Sequence, residues 1–220
     1  MYRCPANKYA HPCSAPLPVS NSRVEEGSAP LKETGFNAQV VHQDSCQLTL
    51  DPNTANRLLS LSEGNRKVTW GAKQPYPDHP ERFDSWYQVL CRESLTGRCY
   101  WEAEWRGDGA EIGVTYKGIG RKGESDDCLL GANDKSWMLR CSTHRYSVRH
   151  NNKRTIIPIE ASNSRRVGVY LDRAAGTLSF YRVSFDGLTL LYSFTSSFTE
   201  PLCPGFWVYT NSSVSLCMLG

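Results

Sequence analysis

No apolar run in this chain of 220 residues approaches the roughly 18 residues that a membrane-crossing helix needs, so no membrane helix is expected. The opening residues, MYRCPANKYAHPC, lack the apolar core of a secretory leader. Neither sign of charge dominates: 25 Lys and Arg stand against 22 Asp and Glu, for a net +3 and a pI near 8.3. That balance gives no electrostatic footprint for nucleic acid or a membrane surface. Cys-x-x-Cys is absent, and Cys4, His11, Cys13, His42 and Cys46 do not form the paired short spacings of a structural zinc site. No His-Glu-x-x-His and no Gly-x-Ser-x-Gly elbow occurs, so the two commonest hydrolase signatures are missing. No metal, cofactor or catalytic residue is therefore expected. The nine cysteines are odd in number, and without a leader they read as reduced thiols in the cytoplasm.

What is present is a dense succession of strand patterns. Hydrophobic residues make up 40% of the chain and aromatics 11%, enough for one sizeable core. The stretch Val167–Tyr181 is the clearest: Val167, Val169 and Leu171 alternate, Asp172–Gly176 supplies a turn, and Leu178 and Phe180 alternate again. Further strands are expected over Cys46–Leu50, Arg66–Trp70, Ser85–Cys91, Tyr100–Trp105, Glu111–Tyr116, Ser136–Cys141, Arg145–Arg149, Thr155–Ile159, Leu188–Phe194, Gly205–Tyr209 and Val214–Met218. One short helix is expected over Thr54–Leu61, after the cap and turn residues Asp51–Thr54. Within Tyr100–Trp105, the residues Trp101, Ala103 and Trp105 should face a core, leaving Tyr100, Glu102 and Glu104 on a solvated face. About a dozen short strands and one helix predict an all-β sandwich of two antiparallel sheets. Residues 1–43, with prolines at positions 5, 12, 16, 18 and 30, read as a tail or linker.

Three strings then line up in order. Leu48-Thr-Leu-Asp-Pro-Asn-Thr-Ala55 with Leu58-Leu-Ser-Leu-Ser-Glu63 resembles the PRY segment. Tyr100-Trp-Glu-Ala-Glu104 resembles the first core motif of the SPRY domain, and Leu171-Asp-Arg-Ala-Ala-Gly-Thr-Leu-Ser-Phe-Tyr181 its last. The resemblance spans residues 44–219, with PRY at about 44–96 and SPRY at about 97–219. Its details are similar to the fish-type subgroup found at the C-terminus of tripartite-motif proteins, nucleotide-binding leucine-rich-repeat receptors and stonustoxin-like proteins. The resemblance implies a bent, concanavalin-like sandwich that acts as a non-catalytic protein-interaction module, in innate immunity or ubiquitin-linked regulation, within a larger multidomain protein. No RING-like or B-box-like Cys/His spacing precedes the domain.

The same resemblance implies that a protein partner docks on loops at one end of the sandwich. By motif position these are the proline-rich loop with Tyr76 and Asp78, the turn with Asp108, the segment Arg140–Tyr146 with Arg140, Ser142, His144 and Tyr146, and the loop holding Tyr209 and Asn211. Tyr and Arg give large contact area and directional donors at modest entropic cost. The basic run Arg140–Arg154 offers an alternative, a pocket for a small anionic ligand such as a phosphorylated metabolite. A solvated hairpin is the plainer reading of that run. Gly118-Ile-Gly-Arg-Lys-Gly123 formally matches a dinucleotide fingerprint, but Glu124-Ser-Asp-Asp127 follows where a phosphate-binding helix should open. Trp137 and Trp207 are expected in the core, and Asn211-Ser-Ser213 is a glycosylation sequon.

Overall fold

A computed structural model describes residues 43–160 and 163–219. The proline-rich stretch up to residue 42 lies outside the described residues, as do Cys4, His11 and Cys13. Period-two alternation produces β1 (Leu59–Ser62), β2 (Lys67–Trp70), β3 (Gln88–Leu90), β4 (Arg98–Arg106), β5 (Ala110–Tyr116), β6 (Ser136–Cys141) and β7 (Arg145–His150). It continues through β8 (Lys153–Glu160), β9 (Arg166–Asp172), β10 (Thr177–Ser184), β11 (Gly187–Thr195), β12 (Leu202–Val208) and β13 (Ser213–Leu216). A 3-10 turn, Asp126–Cys128, lies between β5 and β6. The strands form a seven-stranded sheet, β1-β2-β13-β4-β9-β10-β11, and a six-stranded sheet, β3-β12-β5-β6-β7-β8. This is the all-β sandwich the alternation implies.

The hairpin of β9 and β10 shows the local logic. Its register sets Val169 against Phe180 and Leu171 against Leu178, and all four side chains are buried. Asp172 accepts the Ala175 amide at 2.9 Å, and Gly176 closes the turn at φ +71, where a Cβ would stand 2.5 Å from the Ser196 carbonyl. Trp101 of β4 pairs with Val169, so Trp101, Ala103 and Trp105 enter the same core as Ile112, Leu139 and Phe206 of the other sheet. Ile112, Leu139 and Phe206, fully buried, each stabilise by about 1.5–3 kcal/mol before entropy is counted.

Four expectations are corrected. The helix over Thr54–Leu61 does not form; its last residues are in β1. The backbone there is claimed by distant groups instead: Arg82 donates to the Pro52 and Ala55 carbonyls, both at 2.7 Å, and the Thr54 hydroxyl accepts the Leu90 amide at 2.9 Å. A buried arginine thus overrides local helix preference. Among the described residues, Cys46–Leu50 is extended but joins no ladder beyond bridges from Ser45 to Tyr100 and from Leu50 to Cys91. Glu102 is buried rather than solvated, because it accepts the Tyr100 hydroxyl at 2.6 Å and an ion pair from Arg166. Finally, Cys46 and Cys99 are joined as a disulfide, their Cα atoms 5.6 Å apart, which overturns the expectation of nine thiols.

Candidate functional site

The six-stranded sheet presents one face to the core and one away from it. On β5, Ala110, Ile112 and Val114 point inward, so Glu111 belongs to the outer face. Ladder register carries that position across the whole sheet. Gln88, Trp207, Glu111, Arg140, Ser147 and Ile156 follow one another as direct partners from β3 to β8. Part of the outer face is covered: Phe83, Leu90, Ile119, Leu130, Met138 and Cys203 form a second apolar cluster there. Gln88 is locked beneath it, donating to the Cys128 carbonyl and accepting the Leu130 amide, both at 2.8 Å.

Past that cover the face holds a connected group of aromatic and charged side chains. The ring of Trp207 meets Trp86 edge-on at 5.8 Å and Tyr209 edge-on at 5.3 Å. The Arg140 guanidinium sits 5.0 Å from the centre of the Tyr209 ring, within cation–π range. Tyr209 donates its hydroxyl to Glu111 at 2.8 Å. Trp207, Tyr209 and Arg140 remain partly exposed, whereas Glu111 is only 2% exposed. Its second carboxylate oxygen is buried with no hydrogen-bond partner among the described residues. Burial raises the Glu111 pKa; the Tyr209 hydrogen bond and the charges of Arg149, Arg140 and Arg154 oppose that rise. Burial also pushes the Tyr209 phenol up, reinforced by Glu111. Arg154 reaches the face by donating to the Ser147 hydroxyl at 3.0 Å, and Ile156 stands exposed at its far edge.

The rim beside Tyr209 gathers several of the residues named from the sequence. Ser212 holds the turn before β5, accepting the Asp108 amide at 2.9 Å and the Gly109 amide at 3.1 Å. Asn211 is exposed in the adjoining turn at φ +57. Cys141 pairs with Ala110, so the β6–β7 turn, with Ser142 and exposed His144, borders the same rim. The Ser142 hydroxyl closes that turn on the Arg145 carbonyl at 3.0 Å. Arg140, Tyr209, Asp108, Asn211, Ser142 and His144 therefore share one neighbourhood.

Three named residues stand elsewhere. Tyr146 is 1% exposed in the core, because its strand position points inward, so it offers no surface to a partner. Tyr76 donates to the Leu59 carbonyl at 2.8 Å beneath the Arg82 guanidinium, and Asp78 pairs with Arg57; both brace the proline-rich loop. The basic run is divided likewise. His150 stacks flat on Trp137 at 4.6 Å, while Arg140, Arg149 and Arg154 act on Glu111 from the outer face.

Sequence reasoning placed Trp207 in the core and passed over Trp86 and Glu111. Parity carried the missing signal: Phe206 and Val208 are buried, so Trp207 and Tyr209 had to face the other way. Trp137, by contrast, is buried as expected.

Comparison with known proteins agrees with this architecture. The SPRY-associated domain, PRY, matches residues 48–95, and the SPRY domain matches residues 98–220. The chain is 47% identical over 164 residues to stonustoxin subunit beta of Synanceia horrida, covering 74% of this chain and 23% of that relative. It is 42% identical over 171 residues to tripartite motif-containing protein 16 of Mus musculus, covering 76% and 30%. Among solved structures, stonustoxin aligns with a TM-score of 0.73 at 44% identity, over 79% of this chain and 27% of that one. The TRIM65 PSpry domain aligns with a TM-score of 0.74 at 28% identity, over 82% and 95%. The chain thus spans roughly a quarter to a third of its full-length relatives, and with both halves of the sandwich matched in order it belongs to the PRY-SPRY family.

Proposed function

We propose that this chain is a non-catalytic recognition module whose protein partner docks on the exposed end of the six-stranded sheet. The observation that supports it is the linked set Trp86, Trp207, Tyr209 and Arg140: partly exposed aromatics with an arginine stacked on them, held by a buried carboxylate. Residues of these types dominate binding energy at interfaces because they bury large area with few rotors. The likeness to tripartite-motif proteins supports a role in innate immunity or ubiquitin-linked regulation, as part of a longer protein. Toxin subunits carry the same domain, so the recognition surface and not the fold decides the setting.

A second reading is favoured by Arg140, Arg149 and Arg154, which converge electrostatically on Glu111. A small anionic ligand would use those guanidiniums. The two readings separate in one experiment: capture of partners by the whole chain, with Trp207→Ala and Arg154→Ala compared, beside calorimetry with phosphorylated metabolites. Loss of a captured protein on Trp207→Ala, with no heat from the metabolites, supports the protein partner. Saturable heat abolished by Arg154→Ala supports the anion instead.

A further inference from the structure

The ion pairs among the described residues engage Arg57, Lys67, Arg98, Arg106, Lys117 and Arg166. Arg140, Arg149 and Arg154 take part in none of them. Yet these three share the outer face of the six-stranded sheet. Arg149 is the ladder partner of Met138, a member of the apolar cluster on that face, and Arg154 is the ladder partner of Arg149. Arg140 has the parity of Met138 on the same strand.

Like charges directly opposite each other in a ladder repel. Here neutral groups hold the pair in place. Arg149 donates to the Asn152 side-chain carbonyl at 2.7 Å, and Arg154 donates to the Ser147 hydroxyl at 3.0 Å. Asn152 donates in turn to Asp126 at 3.1 Å, so an amide stands between that carboxylate and Arg149. Glu111 lies beneath, buried and bonded to Tyr209. Ser147 is also the ladder partner of Arg140. The Arg154 guanidinium therefore stands beside the Arg140 position, while the Arg140 guanidinium extends toward Tyr209. The face sets cations without ion-pair partners among the described residues next to half-exposed aromatic rings.

We propose that the partner of this face is an acidic protein segment, which sets a carboxylate between Arg140 and Arg154 and an apolar side chain on Trp207. The inference rests on the protein-partner reading and adds the partner's chemistry to it. A carboxylate accepts from guanidinium groups in short, charge-assisted bonds whose planar fork fixes its orientation. Its negative charge also offsets the repulsion between Arg149 and Arg154. The apolar contact on Trp207 keeps water from those bonds, as the surround of a binding hot spot does. A small free anion would leave Trp86 and Trp207 without a role, whereas a protein segment covers both ends of the face. Exposed Ile156, two residues beyond Arg154 on β8, extends the apolar contact on the other side.

Random peptides displayed on phage and selected on the whole chain test this. Selection should enrich Asp or Glu together with an aromatic or large aliphatic residue, and added salt should weaken the consensus peptide on the unaltered chain. Arg154→Glu, at an exposed position, reverses the local charge. Selection on that variant should lose the acidic residues and enrich Lys or Arg. The original consensus peptide should bind it about tenfold more weakly. Arg173→Glu makes the same change in net charge in the β9–β10 turn of the other sheet, and should bind that peptide as the parent does. Peptides that depend on Trp207 but carry no acidic residue, or that ignore both salt and Arg154→Glu, would overturn the acidic partner and leave the protein-partner reading standing. A selection that yields no peptide sensitive to Trp207→Ala would overturn both.

Discussion

Tyr209 and Glu111, 98 residues apart in sequence, meet at 2.8 Å across adjacent strands, the phenol donating and the carboxylate accepting. It is the contact that fixes the Tyr209 ring under Arg140. Removing the hydroxyl with Tyr209→Phe leaves Glu111 buried with neither oxygen bonded, at a cost of about 1–3 kcal/mol. Chemical denaturation should show that loss, and an unchanged midpoint would mean water already serves the carboxylate.

The same carboxyl makes stability depend on pH in a stated direction. Burial raises the pKa of Glu111 in the folded protein, so its neutral form suits the fold better than its ionised form. That contribution is fully present below about pH 4.5 and is lost as pH rises through the folded value. Glu111→Gln cannot ionise. The variant should therefore gain stability relative to the parent as pH rises above about 4.5; a difference that stays flat, or moves the other way, would show that the arginines hold Glu111 charged.

Glu102→Ala should destabilise by roughly 1–3 kcal/mol, since it removes the buried acceptor of the Tyr100 hydroxyl and the ion-pair partner of the half-exposed Arg166. Partner binding at Trp207 should be unaffected once folding is complete, because Glu102 is on β4 of the other sheet. Thermal melting and a binding titration on one preparation check both halves of the statement.

Gly176→Val should cost about 1–3 kcal/mol. The turn requires φ +71, and any Cβ meets the Ser196 carbonyl. A melting temperature equal to the parent's would refute the turn's geometric demand.

Cys46 and Cys99 close a loop across 53 positions, which chain-entropy arguments value at about 4 kcal/mol. Alkylation without reductant, followed by peptide mass mapping, should find those two protected and Cys217, half-exposed, labelled. Labelling of all three in protein from an unreduced preparation would return the chain to an all-thiol description.

Much of the sandwich was legible because alternation is a local property. Ser136–Cys141 has the same bounds in the sequence pattern and in β6, and the hairpin of β9 and β10 is written in Val167–Tyr181. The failures arose where long-range partners decide. Nothing near Thr54 announces that Arg82 will take its carbonyl neighbours, and nothing near Glu102 announces Arg166. Tyr146 was misplaced because aromatic and loop-adjacent looks like surface until the parity of β7 is known. Arg140 and Tyr209, by contrast, do share one surface, since each lies on the outward parity of its own strand.

The exposed members of the row from Gln88 to Ile156 are Trp207, Arg140 and Ile156, and the strands set their spacing at about 4.8 Å per step. Trp207 and Arg140 lie two strands apart, with the buried Glu111 between them, so about 10 Å separates their backbones. Loop variation can therefore change which groups stand at the rim, while the distance between these two side chains' strands stays fixed by the sheet.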